Sequence, residues 1–254
     1  MEIQQPFSQV KPTPKLLGIG QLFKKTLQVF KKRIWVFIGI MIIPILAVMV
    51  FLLLFTFGLA LLGRIFLWSS GSRLILILSF FVALIVITVS LLWPQLAILY
   101  AVKEREIKIG AKEALRKGWP KILSLYWITL LSTIVIGLGS LLLFIPGLIF
   151  WVWFSLADPI LVAEDIKGWK ALLRSKKLVK GNWWQVFFRL IPIAIISLGI
   201  QFLFESVFSK TSYGIFFSYL LVIPWFFFVL TFIFLLYENL KELEGKEAEE
   251  NTSQ

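Results

Sequence analysis

Hydrophobic residues in this chain fall in blocks too long for the helices of a soluble domain. Thirty residues without a charge separate Arg33 from Arg64, and twenty-nine separate Arg73 from Lys103. Each block exceeds the ~20 residues that carry a helix across ~30 Å of hydrocarbon. Lys121 and Asp158 enclose thirty-six more, too many for one crossing. Gly137, Gly139 and Ser140, followed by Ile145-Pro146-Gly147, supply the turn between two. The pattern predicts spans three and four over 119–144 and 146–163, span five over 182–204 around Arg189, and span six over 211–237. The expected fold class is all-α: a polytopic membrane helix bundle of six transmembrane helices. A cleavable signal peptide is not expected, because the first apolar block follows a basic segment of 33 residues and outruns the ~7–15 residues of a signal h-region.

Polar positions between the blocks are patterned as well. In residues 16–34, Leu16, Ile19, Phe23, Leu27, Phe30 and Ile34 recur at helical spacing, while Lys24, Lys25, Lys31 and Lys32 take the opposite side. Residues 167–180 repeat the design, with Trp169, Leu172, Leu173 and Val179 against Lys170, Arg174, Lys177 and Lys180. Residues 107–118 follow it more weakly through Ile107, Ala111, Ala114, Leu115 and Gly118. About three amphipathic helices on the cytoplasmic face are expected, either lying in the headgroup region or capping the bundle. Each precedes a pair of spans, which divides the membrane domain into units 15–103, 104–164 and 165–244. At an offset of 148 residues Gly20 matches Gly168, Lys32 matches Lys180, Trp35 matches Trp183, and Ile43-Pro44-Ile45 matches Ile191-Pro192-Ile193. Residues 1–14, with Pro6, Pro12 and Pro14, and the Glu-rich residues 245–254 read as disordered tails around one membrane domain, 15–244.

Charge adds direction. Residues 1–33, 103–121 and 167–189 hold seven Lys or Arg each and the C-terminal tail holds two, against only Arg64, Arg73 and Lys210 on the other side. By the positive-inside rule both termini face the cytoplasm, in a multi-pass protein of the cytoplasmic membrane. Trp35, Trp119, Trp183 and Trp184 stand at the cytoplasmic starts of spans one, three and five, where interfacial anchors belong. The net charge of +12 is distributed beside apolar spans, so its expected partner is the anionic lipid of the inner leaflet and not nucleic acid.

Composition removes most chemistry. The chain contains no His and no Cys, which excludes imidazole bases, thiol nucleophiles, disulfides and nearly every zinc site. Its two aspartates, Asp158 and Asp165, are seven residues apart on one segment, unlike the facing pair an intramembrane aspartyl protease needs. Ser175-Lys176 are adjacent and so point to different helix faces. No catalytic site, cofactor or metal is expected.

The segments Ile145-Pro146-Gly147-Leu148, Leu156-Ala157-Asp158-Pro159, Val162-Ala163-Glu164-Asp165, Ala171-Leu172-Leu173-Arg174-Ser175 and Leu178 to Trp184 resemble a recurring prokaryotic pattern. It is similar to the membrane domain of some glycerophosphoryl diester phosphodiesterases and to the YciC-like families of uncharacterised multi-spanning proteins. The resemblance covers residues 105–195 and implies the helical membrane fold. It implies no phosphodiesterase activity, which in those longer relatives belongs to a separate barrel using histidines and a metal.

Two charges, Asp158 and Arg189, fall within the predicted spans. By depth they can meet as an intramembrane ion pair between spans four and five; alternatively Arg189 snorkels to the interface and Asp158 caps a helix broken at Pro159. The function expected is that of a non-catalytic envelope protein engaging anionic lipid or a partner protein through basic amphipathic helices, with a transporter or permease for a lipid or amphiphile as the alternative.

Overall fold

The computed structural model describes the backbone of residues 16–66, 72–208 and 214–252, and the side chains of 16–42, 45–46, 49–58, 77–208 and 222–249. The expected tail at 1–14 lies outside these residues. The helices are α1 (Ile19–Phe66), α2 (Ser72–Lys103), α3 (Ala111–Gly118), α4 (Ile122–Leu142), α5 (Phe144–Phe154), α6 (Ala157–Ala163), α7 (Gly168–Lys180), α8 (Trp183–Phe208) and α9 (Gly214–Thr252). A single 3-10 turn, Trp119–Lys121, joins α3 to α4. No strand occurs among the described residues.

Five stretches among these residues are long and apolar enough to cross a membrane: Ile77–Lys103, Ala111–Leu142, Phe144–Ala163, Trp183–Phe208 and Val222–Glu249. The first expected span is the C-terminal part of α1, where the described side chains include the shorter apolar stretch Met49–Gly58. The α1 helix does not stop after its amphipathic start. It is one helix of 48 residues, about 72 Å at 1.5 Å per residue, so residues 19–34 of the amphipathic stretch are its first turns and not a separate surface helix. Nothing in that stretch breaks a helix, and propagation is easier than a fresh start.

The core gathers at one end of the bundle. Residues Leu96 to Val102 of α2 are all buried, as expected of a helix surrounded on every side, here by α1, α3, α4, α6 and α9. At the other end Val50, Leu53 and Phe57 of α1, Phe80 and Ile85 of α2, and Leu198 and Phe202 of α8 are exposed. In a bilayer such side chains face acyl chains as apolar as themselves, so they need no protein partner.

Helices α4 and α5 form a hairpin with a one-residue link. Leu143 alone is extended (φ −159°, ψ 142°), so the turn comes before Pro146 and Gly147, which occupy the first turn of α5. Proline is tolerated there because its missing N–H has no partner in a helix's first turn. Gly147 lets the two helices touch, since a Cβ built on it would lie 2.0 Å from Ser140 Oγ and 2.9 Å from Ser140 Cα.

Three further expectations change. Ile107, placed on the buried side of its segment, is exposed, whereas Ala114, Leu115 and Gly118 are buried. In α1 the buried positions are Leu22, Thr26, Arg33, Phe37 and Ile40; of the expected apolar face, Phe23 and Phe30 pack against this core, and Ile19, Leu27 and Ile34 face outward. The acidic residues at 245–252, expected to be disordered, continue α9 as far as Thr252.

Candidate functional site

The polar residues that flank the spans come together where α6, α7 and α9 meet. Glu164, just past α6, accepts from Arg174 Nε at 2.9 Å and from Tyr237 OH at 2.8 Å, and Lys241 Nζ lies 3.2 Å from it. The other edge of the Arg174 guanidinium binds Glu244, with Nη1 to Oε1 at 2.6 Å. One planar fork thus ties the end of α6, the middle of α7 and the end of α9, a geometry that lysine cannot reproduce. Burial works against the charge on Glu164, but the bonds from Arg174 and Tyr237 outweigh it and hold the carboxyl below the usual range. The bonds from Glu244 and Glu164 raise the Arg174 pKa in turn.

The backbone breaks in this region are each satisfied by a side chain. Between α5 and α6, Ser175 Oγ donates to Trp153 O at 2.6 Å and accepts from Leu156 N at 3.2 Å, supplying partners that the interrupted helix cannot. At the end of α6, Lys103 Nζ donates to Val162 O at 2.9 Å and Lys121 Nζ to Leu161 O at 3.3 Å. Both ammonium groups sit at the negative end of that helix. Lys121 also pairs with Asp165 at 2.7 Å and holds that carboxyl below its usual range. Asp165 has φ +57°, a left-handed conformation that Asp adopts more readily than most residues. The α7 helix then starts on Gly168, also at φ +57°, where any side chain would be strained.

Asp158 and Arg189 do not meet. Asp158 Oδ2 accepts from Gln95 Nε2 of α2 at 2.7 Å. Arg189 donates from Nε and Nη2 to Leu17 O at 3.0 and 2.7 Å, from Nη2 to Leu16 O at 3.2 Å, and from Nη1 to Gln185 O. Matching depth was not enough, because α6 packs on α2, α4, α7 and α9 while α8 packs chiefly on α9. Arg189 serves the entry to α1 instead, together with Asn239 Oδ1, which accepts from Leu17 N at 2.9 Å.

The basic residues expected at the membrane surface divide in two. Arg174 is occupied inside the knot. Lys24, Lys25, Lys31, Lys32, Lys170, Lys177 and Lys180 are exposed and have no ion pair among the described residues. Of the expected anchors, Trp35 is 81% exposed, Trp119 and Trp184 are largely exposed, and Trp183 is half-buried. Trp119 lies edge-on to Trp93 at 5.0 Å.

Other residues that hold the bundle together escaped the sequence reading. Arg33 is buried and donates to the backbone oxygens of Ile109, Glu104 and Arg105 at 2.6, 3.0 and 3.1 Å, binding α1 to the loop before α3. Arg105 pairs with Glu238 at 2.8 Å. The run Tyr237-Glu238-Asn239 at the end of an apolar span was the available signal, since three polar side chains there need partners. Nothing in the spacing says which partners.

Fold and network together define a polytopic helical membrane protein. Residues 120–240, which include most of the knot, match the family model described as Domain of unknown function (DUF8558). A stretch of 75 residues is 36% identical to a UPF0259 membrane protein of Pectobacterium carotovorum subsp. carotovorum, and covers 30% of this chain and 30% of that relative's length. The UPF0259 protein belongs to the YciC-like side of the resemblance drawn from the motifs. The likeness to glycerophosphoryl diester phosphodiesterases finds no support in these comparisons. No solved structure matches the chain.

Proposed function

We infer that this is a non-catalytic protein of the cytoplasmic membrane, with both termini cytoplasmic, whose basic face engages anionic lipid. One observation carries the reading: the division of cations described above. Five basic residues, Arg105, Lys117, Lys121, Arg174 and Lys241, are matched to carboxylates, while seven of the eight lysines of α1 and α7, all but the half-buried Lys176, are exposed and form no ion pair among the described residues. Pairs of the first kind hold the bundle together. Cations of the second kind cost repulsion unless an anionic surface lies opposite, and each Lys near such a surface contributes about 1 kcal/mol.

The test is lipid composition around the full chain. Extracted from its membrane in polymer-bounded nanodiscs, the protein should carry more phosphatidylglycerol and cardiolipin than the bulk membrane. Changing all seven lysines to Gln should abolish that excess. Bulk composition around the unmodified protein would overturn the reading.

A second reading, movement of a lipid or amphiphile, is favoured by the Asp158–Gln95 hydrogen bond inside the spans, since polar pairs at such depth are a recurrent feature of substrate paths. Proteoliposomes distinguish the two: a labelled lipid crossing faster than in protein-free vesicles supports transport, and unchanged crossing rejects it.

A further inference from the structure

A cleft of about 760 Å³ lies between α5 and the junction of α7 with α8, within the ~300–1,000 Å³ typical of ligand sites. Its lining is of two kinds. Lys180, Asn182 and Gln185 line it at the junction, and Leu148, Ile149 and Phe187 supply apolar wall. No acidic residue lines it. Glu244 and Glu247 border a separate gap with Lys177, where the end of α7 and its link to α8 face α9. Lys180 is exposed and has no ion pair among the described residues. The α8 helix begins at this junction with Trp183, and the start of a helix favours negative charge.

A third feature points to a missing partner. The indole Nε1 of Trp183 is buried and has no hydrogen-bond acceptor, a state that costs free energy in an apolar setting. Its ring stacks on Phe187 at 5.2 Å and lies edge-on to Trp184 at 4.7 Å. An ester or phosphate oxygen entering the cleft, with a small shift of the ring, would supply that acceptor.

We propose that this cleft holds one anionic phospholipid, its phosphate beside Lys180 and the start of α8, and an acyl chain along Leu148, Ile149 and Phe187. The charge complementarity selects the headgroup, and the apolar wall selects a lipid over free phosphate. The proposal rests on the lipid-facing reading above but adds a discrete site to it. A general basic face would hold several lipids loosely, whereas a built cleft holds one of them tightly.

Native mass spectrometry of the full-length protein, titrated with phosphatidylglycerol or phosphatidylcholine, reads the first bound lipid. Phosphatidylglycerol should bind first and more tightly. Lys180→Gln should weaken that first binding about fivefold, the factor expected from one cation at an anionic surface. Leu148→Trp, which fills the apolar wall, should remove it. Ile149→Trp replaces that variant if its melting temperature falls below the wild-type value. Changing Lys24, Lys25, Lys31 and Lys32 to Gln should leave the first lipid in place and weaken only the later ones. The proposal is overturned if the cleft-filled and Lys180→Gln variants keep the tight first lipid, or if phosphatidylcholine binds equally well. If the tight lipid persists but no lipid excess surrounds the protein in nanodiscs, the general reading fails and the site stands.

Discussion

At the scale of single residues, Arg174 is the side chain that ties α7 to the end of α6 and to α9. Its partner Glu164 is 12% exposed and its own side chain 19%, so the pair is shielded from most solvent screening but not all. Breaking a fully buried pair costs about 3–5 kcal/mol; the partial exposure argues for ~2 kcal/mol on Arg174→Leu. In detergent, Arg174→Leu and Glu164→Gln should each lower the melting temperature, and the double variant should lose less than the sum. Strictly additive losses would mean that the two side chains act independently. Acid should reveal the same contacts. The carboxyls of Glu164 and Asp165 are both held below their usual range, so their stabilisation is present above the unfolded-state pKa of about 4 and disappears as pH falls through the lower folded values. The melting temperature should therefore hold from neutral pH to about 5 and drop below about 4, with a smaller drop in Glu164→Gln. Ser175 makes a separate case, since Ser175→Ala removes the partner of the buried Leu156 N–H and of the half-buried Trp153 carbonyl. That change should cost about 1–3 kcal/mol, read from the same melting curves.

At the scale of elements, the α4–α5 hairpin shows how much depends on an absent side chain. A methyl at Gly147 would collide with the backbone of Ser140, whereas one at Gly137 meets nothing within 4 Å. Gly147→Ala should force the helices apart at about 1–3 kcal/mol, and Gly137→Ala should be neutral or stabilising through its better helix propensity. Thermal unfolding of the two variants, prepared side by side, checks both; equal behaviour would mean that the helices do not touch there. Both glycines stand in the same apolar turn region in the sequence, and periodicity could not say which faces the partner helix. Helix order and type were largely legible, because a run of apolar residues without charge admits only a helix in lipid. Element ends were less so. The break falls at Leu143, ahead of the Pro146-Gly147 signal, and α1 runs on because its amphipathic start and its apolar block are joined by no helix breaker.

At the scale of the whole molecule, topology and packing answer to different parts of the chain. On the topology proposed above, Ser70→Cys should react with a membrane-impermeant maleimide added outside, and Lys112→Cys only after the membrane is opened. The native chain contains no Cys, so each label reports one position. Labelling of residue 70 from the inside alone would invert the arrangement. The sequence by itself determined that the chain is an all-helical membrane bundle, because charge-free blocks of twenty or more residues have few other places to go. It also located the Asp158 to Trp184 region as special by its motifs. Only the tertiary structure decided who meets whom there: Asp158 with Gln95, Arg189 with the backbone before α1, and Arg174 with Glu164 and Glu244. The physical reason is that burial in lipid is a property of composition, which a sequence carries locally. A hydrogen bond between residues seventy apart depends instead on which helices become neighbours.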